Sequence, residues 1–72
     1  MYIHAEELGD RKRLLQACSN LGECYRVENQ LGKAIKVYKQ GMGIAKEISD
    51  RFSEQHAHNN LGVCYWMLGE YD

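Results

Sequence analysis

Apolar residues recur along this chain at helical steps. Between Arg11 and about Val27, Leu14, Cys18, Leu21 and Tyr25 are spaced by four, three and four residues, which predicts a helix burying that stripe. A second stripe runs through Leu31, Ala34, Ile35, Tyr38, Met42, Ala45 and Ile48, while Lys33, Lys36, Lys39, Lys46 and Glu47 lie off it. A third helix is expected from Phe52 to about Leu68, carrying Ala57, Leu61, Cys64, Tyr65 and Leu68. Met1 to Leu8 reads as the end of a preceding helix, with Ile3, Ala5 and Leu8 as its apolar contacts.

Polar corners separate these segments. Gly9-Asp10 offers a helix stop followed by an N-cap, Glu28-Asn29-Gln30 a tight polar turn, and Ser49-Asp50-Arg51 another corner. Gly69-Glu70-Tyr71-Asp72 begins a further one. Gly41 and Gly43 each cost about 1 kcal/mol against Ala inside a helix, so both are expected where a neighbouring helix comes close. Proline is absent, as long helices with short polar corners permit.

The pattern also repeats. Asn20-Leu21-Gly22-Glu23-Cys24-Tyr25 returns as Asn60-Leu61-Gly62-Val63-Cys64-Tyr65, a period of 61 − 21 = 40 residues. Residues 1–32 and 41–72 agree at Ala5, Glu7, Asp10, Arg11, Ala17, Asn20, Leu21, Gly22, Cys24 and Tyr25. That is ten identities where typical residue frequencies would give about two. The expected architecture is all-α, antiparallel helix-turn-helix repeats: residues 1–9 ending one helix, 10–49 a complete pair and 50–72 the start of the next repeat.

Composition narrows the function. With 44% hydrophobic and 26% charged residues the chain has the make-up of a folding domain, and 72 residues allow one folding unit. A net charge of −1 provides no field for nucleic acid or an anionic membrane surface, so neither partner is expected. Lys33, Lys36 and Lys39, with Arg11-Lys12-Arg13, therefore read as solvated faces. No apolar run nears the ~20 residues that span a bilayer, and a cytoplasmic protein is expected.

The chemistry of sites adds little. Cys18, Cys24 and Cys64 form neither a CxxC nor an even disulfide framework. Cys24 and Cys64 with His4, His56 and His58 name zinc-ligand types, but repeat-equivalent cysteines sit one unit apart and His56 and His58 diverge on a helix. Buried, inert thiols are expected, with no metal and no cofactor. No phosphate loop, nucleophile elbow or Cys-His pair points to an enzyme.

Leu21-Gly22, Tyr25, Ala34 and Tyr38, then Leu61-Gly62, Tyr65, Gly69 and Tyr71, resemble the tetratricopeptide repeat, paired antiparallel helices stacked as a superhelix. Departures are Cys18 and His58 at an early aromatic position, Asn29 at the corner glycine, Gly41 at a small alanine and Lys46 at the closing proline. The 40-residue period and the recurring Asn-Leu-Gly resemble the subset found in Pins-type G-protein modulators and kinesin light chains. The resemblance implies a concave groove lined by the first helix of each unit, whose asparagines hold an extended peptide.

An asparagine amide carries both donor and acceptor, so Asn20 and Asn60 one repeat apart suit a peptide backbone. Gln16, Ser19, Glu23 and Arg26 fall on the Asn20 side of the wheel, and His56, Asn59, Val63 and Trp66 on the Asn60 side. These ten residues are the expected groove. The function expected is a scaffold or adaptor module that takes a protein or peptide ligand. The alternative is a stacking or self-assembling repeat segment with no ligand of its own, associating through its end faces.

Overall fold

The computed structural model describes residues 5–69, which form three helices: α1 Ala5–Val27, α2 Leu31–Glu47 and α3 Arg51–Gly69. There is no strand among the described residues, so the arrangement is all-α with two helix-turn-helix corners. Ile3 and the Glu70-Tyr71-Asp72 corner lie outside the described residues.

Both corners close by the same device. After α1, Asn29 takes a left-handed backbone (φ 61°), its N–H donating to the Arg26 carbonyl at 3.0 Å and that of Gln30 to the Tyr25 carbonyl at 2.7 Å. After α2, Ser49 does the same (φ 59°), with N–H bonds from Ser49 to Lys46 and from Asp50 to Ala45 at 3.1 and 2.8 Å. This is the Schellman arrangement, normally built on glycine, which satisfies carbonyls a helix end would otherwise leave orphaned. Asp50 then caps α3: its carboxylate accepts from the Ser53 N–H at 3.1 Å and from the Ser53 hydroxyl at 2.8 Å.

The expected corner at Gly9-Asp10 does not form; α1 runs straight through it. Glu6 and Glu7 are exposed, and no second helix among the described residues packs beside them to reward a reversal. Continuing the helix keeps every backbone bond made, for about 1 kcal/mol of glycine cost. Asp10 pairs with Arg13 one turn on instead of capping a helix.

α2 packs against both other helices, antiparallel to each, and the core lies along its two sides. On one side Val37, Ile44 and Ala45 meet Leu15 and Cys18 of α1; on the other Leu31, Ala34 and Tyr38 meet Leu61 and Cys64 of α3. Tyr25 reaches both clusters. The buried stripe of α1 is therefore not the expected one, since Leu15 replaces Leu14 and Leu21 is half exposed. Tyr65 and Leu68 of α3 are exposed as well. Arg11 of α1 ties to Glu47 of α2 at 3.1 Å.

Glycine decides the closest approach. A Cβ on Gly22 would fall 2.5 Å from Cε1 of Tyr38, so only glycine lets this fully buried ring lie across α1. A Cβ on Gly41 would meet the Cβ of Cys18 at 3.3 Å, the close approach expected there, whereas one on Gly43 would have nothing within 4 Å. The helix contact expected at Gly43 is absent because that residue faces solvent.

Candidate functional site

Where α1 passes α3, the packing leaves a polar seam floored by Tyr38. Ser19, Asn20, Glu23 and Arg26 from α1 and His56 and Asn60 from α3 enclose, with that tyrosine, a cavity of about 180 Å³. The repeat is what aligns them: Asn20 and Asn60 occupy the same turn of equivalent helices and open onto one space.

Arg26 is the electrostatic feature of this seam. Its guanidinium is held firmly charged by the Tyr38 hydroxyl beside it, against the cost of burial, with Glu23 adding to the effect. Its Nε is buried and meets no acceptor among the described residues. Such a donor carries a desolvation cost of about 1–3 kcal/mol until an acceptor reaches it.

Six of the ten sequence-predicted groove residues thus converge: Ser19, Asn20, Glu23, Arg26, His56 and Asn60. Asn59, Val63 and Trp66 do not join them. They line a separate, open hollow of about 520 Å³ with His58 and Gly62, on the side of α3 turned away from α2. The Asn59 Oδ1 accepts from Gln55 Nε2 at 3.2 Å. Gln16 is exposed and lines neither space. Sequence reasoning missed Tyr38 as a wall of the seam; the signal was Gly22, whose missing side chain admits the ring.

One of the three thiols departs from expectation. Cys18 and Cys64 are buried, and burial pushes both pKa values up, opposed at Cys64 by the nearby positive charge of Arg26. Cys24 is exposed, because no helix among the described residues lies over the face of α1 that carries it. No group of three or more His, Cys, Asp or Glu is placed to hold a metal among the described residues. The lysines are exposed, and two lean over aromatic rings: Lys33 over Tyr25 at 5.7 Å and Lys39 over Tyr65 at 6.0 Å from the centroids. No described helix is long and apolar enough to cross a membrane.

No known family model matches the chain, and no solved structure does. Over 63 residues, 88% of its length, it is 36% identical to G-protein-signaling modulator 1 of Homo sapiens. The chain spans only 9% of the length of that protein. The likeness relates the chain to a G-protein-signaling modulator and agrees with the resemblance to Pins-type modulators read from the Asn-Leu-Gly repeat.

Proposed function

We propose that the chain is a tetratricopeptide-type segment that binds an extended peptide or partner protein along the α1/α3 seam, as a non-catalytic cytoplasmic part of a scaffold or adaptor. The single observation that carries this reading is the opening of Asn20 and Asn60 onto one cavity beside the Nε of Arg26, which meets no acceptor among the described residues. Two amides can hold backbone N–H and C=O groups of a peptide without reading its side chains, and Arg26 offers a charged donor to a further acceptor. Similarity to a protein named as a signalling modulator favours a macromolecular partner over a metabolite.

Hydrogen bonds of this kind contribute about 0.5–1.5 kcal/mol each, so losing both amides should weaken binding more than tenfold. The test is titration of peptides selected from a random display library against the chain and against its Asn20→Ala/Asn60→Ala double variant. Affinity should fall while Tm barely moves, since Asn20 is exposed and Asn60 only half-buried. Equal affinity for the two proteins would remove the reading.

A further inference from the structure

Charge in the seam is divided between its two helices. α1 contributes both signs, Arg26 and Glu23, and α3 contributes His56, a side chain whose charge changes within the physiological pH range. The imidazole is not supplied by the repeat: forty residues back stands Gln16, which lines neither space. From α2 the titratable group in the wall is Tyr38, whose hydroxyl already serves Arg26. Lys39 of α2 leans over Tyr65, and Lys46 borders a separate hollow with Glu54 and His58 of α3. Lys12 of α1 exerts its charge on Asp50, where α3 begins. With a neutral His56, then, Arg26 and Glu23 balance; with a protonated one the wall of the seam carries one net positive charge, around an Nε that meets no acceptor among the described residues.

We propose that His56 is a specificity-determining residue of the seam, which on protonation turns it from a clamp for neutral backbone into a site for a ligand carboxylate. This rests on the peptide-binding reading of the same seam and adds the ligand's charge and the pH at which that charge counts. A carboxylate has two acceptor oxygens, one for the Arg26 Nε and one for an imidazolium N–H, and both donors open onto a space of about 180 Å³. A bound carboxylate favours the protonated imidazole, so by linkage protonation tightens binding by the same factor. His56 is exposed, and water and salt hold that factor to several-fold. A phosphate group suits the seam less well, because Glu23 in the wall repels its greater negative charge more strongly.

The test takes histidine-free peptides selected from a random library against the chain at about pH 6 and measures their affinity from about pH 8 to about pH 5.5, a range in which ordinary carboxylates stay ionised. Affinity should rise about three- to tenfold as the pH falls. His56→Gln should flatten the profile at its weak end, and the permanently charged His56→Arg should hold it at its tight end. His58→Gln, on another side of α3, should leave the profile unchanged. Because His56 is exposed, circular dichroism should show the same helical chain in each variant. Replacing the peptide's Asp and Glu by their amides, or amidating its C-terminus, identifies which carboxylate is read, and one of the two should remove the pH dependence. A flat profile in the parent, or one that survives His56→Gln or both changes to the peptide, would overturn the proposal. Affinity that falls with Asn20→Ala/Asn60→Ala but ignores pH retires this inference and leaves the peptide reading standing; affinity blind to both asparagines retires the two together.

Discussion

α1 and α3 carry the same motif and bury opposite halves of it. Leu21 is 46% exposed while Leu61 is 5%; Cys24 is exposed while Cys64 is fully buried. The glycines reverse the order, Gly22 pressed against Tyr38 and Gly62 open. Each helix shows α2 one of the two faces that the repeat gives it, so α1 is covered on the Leu15–Cys18–Gly22 side and α3 on the Ala57–Leu61–Cys64 side. Burial in such a chain is set by which neighbour lies alongside, not by the residue's own hydrophobicity.

The contrast is sharpest at the leucines. Leu61→Ala should cost about 2–5 kcal/mol by emptying a packed site between α2 and α3. Leu21→Ala, on an uncovered face, should cost less than about 1 kcal/mol. Urea denaturation of the two variants measures the difference, and equal costs would mean that the face of α1 carrying Leu21 is covered in solution.

The glycines should differ in sign. Gly22→Ala forces its new methyl into the Tyr38 ring, an overpacking worth about 1–3 kcal/mol of destabilisation. Gly62→Ala adds a methyl in open space inside a helix and should stabilise by about 0.5–1 kcal/mol. Thermal melts of both report it: the same sign for the two would show that Gly22 and Gly62 do not differ in their surroundings as the structure has them.

What the sequence made legible follows from the same two-faced helices. The corners at Asn29 and Ser49 were readable because polar residues interrupt a strong period, and the sixfold convergence on the seam because a 40-residue offset aligns Asn20 with Asn60. The apolar stripe of α1 was misread because Cys18 and Tyr25 face α2 whereas Leu21 belongs to the other face. Val37 and Ile44 escaped the stripe of α2 for a related reason: a helix packed on two sides has no single narrow face. Asn59, Val63 and Trp66 were placed in the groove because they fall on the Asn60 side of the helical wheel, but a seam needs a second helix opposite.

Corners give the next test. Gly9 is the better residue for a left-handed corner, yet Ser49 makes one and Gly9 does not. Gly9→Ala should therefore stabilise the chain by about 0.5–1 kcal/mol, and Ser49→Gly should relieve a left-handed backbone by up to about 1 kcal/mol. Loss of stability on Gly9→Ala, measured by chemical denaturation, would mean that the chain turns there after all.

The smallest effect separates the two aspartates that follow those residues. Asp50 is held below the usual carboxylate range by the Ser53 N–H first and the Ser53 hydroxyl second, whereas Asp10 pairs with Arg13 along one helix. A lowered folded pKa means that Asp50 stabilises the fold above the unfolded value, near pH 4, and that this contribution is lost as pH falls through the folded one. Asp50→Ala should lower Tm by several degrees at pH 7, and its deficit against the parent should shrink as the pH drops below about 4. Asp10→Ala should shift Tm little at either pH, because an exposed pair within a helix contributes little. A deficit at Asp10 that fades with acid in the same window would show its carboxylate capping a helix start, and the two copies would then share a corner that the structure gives to only one.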